Sequence, residues 1–312
     1  MIRTVLGNIP GSTLGHAQCH EHLFLARTPA CSAAPALLMD DTRLSIHELL
    51  AYRAAGGGTV VDAQPPFAGR MASSLLQASL STGVHIIAVT GFHKRMFYQE
   101  DCPLFTMDSD ELQDLFVREM TDGMLDDSLT TRLFAKAGLV KIAFDDAVPG
   151  GLDLVWADAA IQAAKRAGAS ILVHTENGSD VRALIDRVLQ AGIPAQKLII
   201  CHMDRTCRDP ALHKAVLETG AYLNYDSIHR YKYISMQQEL RLITDMLQAG
   251  FASQLLLSLD TTAERLTQYG GEIGLDYILT TFADILRSAG VDESDIQKMT
   301  VQNPAAALQI CK

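Results

Sequence analysis

Short apolar runs recur along this chain, at residues 17–22, 58–62, 85–90, 139–143, 170–174, 198–202, 222–225 and 255–260, each followed by a longer segment of helical spacing. In the segment 235–250, for example, Met236, Leu240, Ile243 and Leu247 line one face and Gly250 supplies a stop. Similar spacing predicts helices over 157–168, 179–192 and 275–290. Strands that are apolar on both faces and alternate with helices belong to a parallel sheet. Eight such units in 312 residues predict a single (β/α)8 barrel domain over 1–312. A doubly wound open sheet is the alternative, but Gly56, Gly57 and Gly58 precede their strand instead of opening a helix, so no dinucleotide fingerprint supports it. The longest irregular stretches, 27–41 and 94–110, follow strand ends, where barrel enzymes carry substrate loops.

With 48% hydrophobic residues the chain can bury a large core, and its net charge of −10 argues against work on nucleic acid or on an anionic membrane surface. The first ten residues lack an apolar stretch of signal-peptide length, and no run approaches the ~18 apolar residues of a membrane span. The expected location is therefore the cytoplasm. Six cysteines are scattered with no CxxC pair, which predicts reduced packing thiols. Strand alternation turns two of them, Cys19 and Cys201, outward toward the helices.

Polar residues with metal-binding chemistry collect at the ends of these apolar runs. His20 and His22 share one face of the first strand, Lys141 lies in the fourth, and His174, His202 and Asp260 close the fifth, sixth and eighth. One such residue is ordinarily a satisfied core group or a helix cap. Four of ten histidines with a lysine and an aspartate at strand ends are a different matter, because in a closed barrel those ends converge on one mouth.

In this ordered set, from His20-Glu21-His22 through Ala137-Gly138-Leu139-Val140-Lys141 and His202-Met203-Asp204-Arg205-Thr206 to Asn303-Pro304-Ala305, the chain resembles the phosphotriesterase family of the amidohydrolase superfamily along its whole length. The resemblance implies two divalent metal ions. His20, His22 and Asp260 would hold the more buried one, His174 and His202 the more exposed one, and Lys141 would bridge them. An ammonium would repel two dications, so the family's bridge is a carbamate formed from the lysine and CO2. With Asp260 and a bridging hydroxide, that anion brings the +4 of the metals to +1. Paired metals acidify a shared water, and Asp260 is the candidate to take its proton. Zinc suits imidazole donors, and manganese or cobalt suit the oxygens. A homodimer is a further family expectation.

Several cations follow strand ends, among them Lys94, Arg95, Arg205, Arg208, Arg230, Lys232 and Arg265, and they point to a small anionic substrate. His93, Lys94, Arg205, Tyr225, Arg230 and Lys232 are the expected substrate contacts, with the stretch 225–233 resembling the loop of relatives that open phosphorylated sugar lactones. The expected activity is thus hydrolysis of a phosphorylated or acidic sugar lactone. Cleavage of an N-acyl amino acid or of an organophosphate triester is the alternative within the family. Outside it stand an aldolase using Lys141 as a Schiff-base nucleophile, which leaves the histidines unexplained, and a barrel that binds without turnover. Glu176 and Asn177 either orient ligands or cap the next helix.

Overall fold

The computed structural model describes residues 1–145 and 149–311. A short antiparallel hairpin, β1 (Ile2–Thr4) and β2 (Gly7–Ile9), opens the chain. Eight strands follow: β3 (His16–Glu21), β4 (Gly57–Asp62), β5 (His85–Gly91), β6 (Leu139–Ala143), β7 (Ser170–His174), β8 (Leu198–Cys201), β9 (Tyr222–Tyr225) and β10 (Leu255–Leu257). Each pairs in parallel with the next in sequence, which gives the expected (β/α)8 barrel.

Alternation divides the strand residues between two cores. Val60, Ile86, Val140, Ile142, Ile171, Val173 and Ile200 face the helices, where they meet Trp156, Leu184, Val188 and Ile243. Val61, Ile87, Val89, Leu139, Leu172, Ile199 and Leu256 face the barrel axis. The hairpin, which the apolar periodicity did not predict, helps close the bottom: Ile2 and Leu14 join Ala307 and Leu308 in the inner core, and Val5 N–H donates to Ile86 O at 2.9 Å. The lower interior is therefore apolar, leaving the strands' C-terminal ends for polar groups.

Helix ends follow local chemistry. The helix Met236–Gln248 starts at a capping box made by Ser235 and Gln238, and Asp180 caps Val181–Gln190 by accepting from Ala183 N–H at 3.0 Å. The helix predicted over 157–168 begins earlier, at Leu152. The stretch predicted as one helix over 275–290 is instead a π-helix, Ile278–Phe282, running into the α-helix Ala283–Ser288. The wider turn keeps Ile278, Phe282 and Leu286 on the buried face. Among the described residues no helix is long and apolar enough to cross a membrane.

The seam between β3 and β10 is closed largely by side chains. Ser258 Oγ accepts from both Cys19 N–H (2.9 Å) and His20 N–H (3.1 Å), and the buried Glu21 carboxylate accepts from Leu259 N–H (2.6 Å) and Thr261 N–H (3.1 Å). Thr261 Oγ1 accepts from His22 N–H and donates to His22 O. β3 also carries a bulge, since Gln18 pairs with Val60 but Glu21 pairs with Asp62. The extra residue lets Cys19 and His20 both face the axis, so Cys19 belongs to the inner core and not, as alternation predicts, to the helix side. Glu21→Ala would strip two buried N–H groups of their acceptor, with an expected loss of about 3 kcal/mol in urea unfolding of the metal-free protein. A loss below about 1 kcal/mol would show that Ser258 and Thr261 hold the seam without it.

Candidate metal centre

At the C-terminal mouth of the barrel lies a cavity of about 620 Å³. His22, His174 and Asp260 reach it, whereas His20, Lys141 and His202 lie fully buried behind. Strand ends supply all six positions, but two of them need unusual backbone. His202 (φ +70°) and Asp260 (φ +50°) adopt left-handed conformations that side chains with a Cβ rarely accept. At His202 this matters for direction: Cys201 already faces the axis in the inner core, so regular alternation would send His202 outward. Instead its ring stands 4.7 Å from that of His20 and 4.3 Å from that of His174, centroid to centroid. The outward placement predicted for Cys201 is corrected by the same observation.

Donor atoms of His20, His22 and Asp260 all lie within 4.8 Å of one another. His20 Nε2 is 3.8 Å and His22 Nε2 3.5 Å from Asp260 Oδ1, close to the spacing of about 3.3 Å between donors that sit ~2.0 Å from one tetrahedral ion. His20 Nε2 is buried without a hydrogen-bond partner. Burial disfavours the imidazolium, holding His20 down at about 4 and His22, His174 and His202 below their ordinary value. Neutral rings with lone pairs directed at a carboxylate are a donor set suited to a divalent cation.

Asp226, just past β9, organises two of these rings. Its Oδ2 faces His20 Nδ1 at 3.0 Å and its Oδ1 faces His202 Nδ1 at 2.6 Å, while Asn224 Nδ2 donates to Oδ2 at 3.2 Å. Although burial opposes its charge, His202 and His20 hold its carboxyl well below the usual range. An ionised carboxylate on both Nδ1 atoms places the protons there and leaves both Nε2 lone pairs facing the centre. Sequence reasoning missed this role. The available signal was its parity with Asn224, which puts Asp226 on the axis side of the strand end.

Lys141 Nζ donates to Ala63 O at 2.8 Å, and desolvation lowers its pKa to about 8. Asp260 divides its two oxygens. Oδ1 faces the histidines, and Oδ2 accepts from both Arg205 Nη1 and Arg230 Nη1 at 2.8 Å. Burial opposes its charge as well, yet Arg230 and Arg205 keep its carboxyl well below the ordinary value.

Of the expected substrate contacts, His93, Lys94, Arg205, Arg230 and Lys232 line the cavity. Tyr225 does not. It is fully buried in the helix-facing core with its hydroxyl 2.9 Å from His213 Nδ1, because the β9 residues that face the axis are Tyr222 and Asn224. The aromatic member of the wall is Tyr233, whose ring centroid lies 5.0 Å from the Arg205 guanidinium, 5.9 Å from that of Arg230 and 5.1 Å from Lys232 Nζ. Arg265 and Arg208 serve the backbone: Arg265 binds Leu259 O and Ile228 O, and Arg208 binds Tyr233 O. On the opposite wall Lys94 Nζ pairs with Glu176 Oε1 at 2.5 Å, and that oxygen is also 3.0 Å from His174 Nε2. His93 stacks on Phe97 at 3.8 Å.

Comparison with known proteins agrees with this geometry. Residues 1–308 match the model of the phosphotriesterase family. A phospho-furanose lactonase of Mycoplasmopsis synoviae is 29% identical, with 98% of this chain and 91% of that protein covered. An N-acetyltaurine hydrolase of Danio rerio is 27% identical over 97% of this chain and 96% of its own. The crystal structure of a lactonase from Listeria monocytogenes superposes with a TM-score of 0.91 at 29% identity, covering 100% of this chain and 99% of the other. The strand-end histidines, the lysine and aspartate among them, and a family match over nearly the whole chain lead to one conclusion: this protein belongs to the phosphotriesterase family, a family of metal-dependent hydrolases.

Proposed function

We propose that the chain is a binuclear metal-dependent lactonase acting on a phosphorylated or otherwise acidic sugar lactone. One observation carries the reading: Asp260 joins the histidine cluster to a cationic wall, with one oxygen toward His20 and His22 and the other toward Arg205 and Arg230. His20, His22 and Asp260 would hold one ion, His174 and His202 the other, with Lys141 between them as its carbamate. The ions, zinc by preference of the imidazole donors, supply Lewis acidity and a water acidified toward hydroxide near neutral pH.

The chain's own residues do the rest. The lowered pKa of Lys141 enlarges its fraction of free amine, the form that adds CO2 to give the carbamate and a proton. Asp260 accepts the proton of the attacking water and returns it to the ring oxygen that leaves as a hydroxyl. Arg205, Arg230 and Lys232, gathered around Tyr233, bind the anionic end of the substrate. Lys94 is committed to Glu176 and is left out of the clamp.

The N-acetyltaurine hydrolase relatives favour a second reading, hydrolysis of an N-acyl amine whose acidic group sits on the same wall. Comparing kcat/KM for phosphorylated sugar lactones, unphosphorylated lactones, N-acyl amino acids and an organophosphate triester separates the two. The expected result is a preference for phosphorylated over plain lactones above ~100-fold, about 2.7 kcal/mol of discrimination. If N-acyl amino acids win, the lactone reading falls while the centre stands.

Two variants test the centre itself. Lys141→Ala should lose bound metal and activity together and regain part of both with a short carboxylic acid; full activity without the acid counts against the bridge. Asp226→Asn presents an N–H₂ to one of the two imidazole N–H groups, so the expected loss of zinc affinity in a chelator competition is about 10- to 100-fold. Unchanged affinity would reduce Asp226 to a packing group.

A further inference from the structure

We infer that Glu176 is a positioning residue for His174, with Lys94 as its anchor, and that together with Asp226 it turns the facing nitrogens of two histidines into a paired lone-pair site. The inference rests on the reading of His174 and His202 as metal ligands.

His174 Nδ1 and His202 Nε2 stand 2.8 Å apart. The outer nitrogen of each ring is claimed by a carboxylate. Asp226 Oδ1 is 2.6 Å from His202 Nδ1, and Glu176 Oε1 is 3.0 Å from His174 Nε2. A neutral imidazole carries one N–H, and a carboxylate acceptor draws that proton to the nitrogen it faces. With both outer nitrogens protonated, the two inner nitrogens present lone pairs to the same point. At that distance two lone pairs repel; an N–H···N bond relieves the repulsion only at the expense of one ring's bond to its carboxylate, whereas a cation bound to both nitrogens leaves both carboxylate bonds in place.

Asp226 is fully buried and needs no anchor beyond Asn224 and the two rings. Glu176 stands at the cavity wall with 37% of its side chain exposed, where water competes for its oxygens. The Lys94 ammonium, 2.5 Å from the same Oε1, holds that oxygen toward the ring. Ser179 Oγ, which accepts from Glu176 N–H at 2.8 Å, fixes the backbone beneath it. The device thus spans the cavity wall: Lys94 after β5, Glu176 after β7, and His174 at the end of β7. It also gives the cavity a polarity, since an anionic substrate end meets Glu176 on this side and the arginines on the other.

The test uses full-length protein stripped of metal and titrated with zinc against a competing chelator, comparing wild type with Glu176→Gln, Glu176→Asp, Glu176→Ala and Lys94→Met. Wild type should take up two equivalents. Glu176→Ala should bind one of them about 10- to 100-fold more weakly and the other unchanged, with Glu176→Asp recovering part of the loss. In histidine-labelled metal-free protein, ¹⁵N NMR should show His174 protonated at Nε2 in wild type and at both positions in exchange in Glu176→Ala. Lys94→Met should weaken the same equivalent by a smaller factor with little change in KM for an anionic substrate. Wild-type zinc affinity and an unchanged His174 tautomer in Glu176→Ala and Glu176→Gln overturn the inference. A raised KM with normal zinc affinity in Lys94→Met returns that lysine to substrate binding. Wild type that takes up no zinc overturns the metal reading instead.

Discussion

The seam between β3 and β10 governs both the closure of the barrel and the making of its centre. Elsewhere neighbouring strands are joined by parallel ladders, but here the backbone bond from Asp260 N–H to His20 O at 3.2 Å is supplemented by side-chain bonds from Glu21, Ser258 and Thr261 that join the ends of the sheet. The bulge at Cys19–His20, set in the ladder of β3 with β4, and the left-handed Asp260 at the seam together bring His20, His22 and Asp260 within donor distance of one another. A regular ladder would keep the apolar interior sealed but would leave His20 on the wrong face.

Above this seam, three carboxylates around the cavity each have a stated partner. Asp226 is balanced by two imidazole N–H groups, Asp260 by two guanidiniums and Glu176 by an imidazole and an ammonium. Asp226 and Asp260 are thereby kept ionised despite their burial, and each of the three fixes the orientation of the group it touches. The histidines, cut off from water, stay neutral because burial disfavours the imidazolium. The outcome is a core of lone pairs enclosed by a shell of anions, the reverse of an ordinary apolar barrel interior.

Much of this could be read from the residues. Eight apolar runs with helical intervals specify the barrel, because strands buried on both faces and separated by helices have few other ways to pack. The strand-end positions of His20, His22, Lys141, His174, His202 and Asp260 were legible for the same reason. What failed was the use of strict alternation. It misdirected Cys19, where a bulge intervenes, and Cys201, where the next residue turns left-handed. Tyr225 fails differently: it closes the seventh apolar run, and grouping it with the tyrosines and cations of 225–233 puts its side chain in the cavity, whereas the last residue of β9 points to the helices. Asp226 was hidden among loop charges because its partners come from β3 and beyond β8, a convergence that only closure of the barrel creates.

Asp260 is where the chemistry of the centre and the recognition of substrate become one problem. Its Oδ1 belongs to the histidine side and its Oδ2 to Arg205 and Arg230. The guanidiniums stabilise the carboxylate and so weaken it as a base. An anion that engages either arginine competes with Oδ2 for the same donors, and each hydrogen bond it removes raises the proton affinity of Asp260. A neutral substrate leaves those bonds intact. Under the proposed function, a wall that selects for an anionic group would therefore also tune the group that moves the proton, so preference for an anionic substrate in this site would be read in kcat as well as in KM.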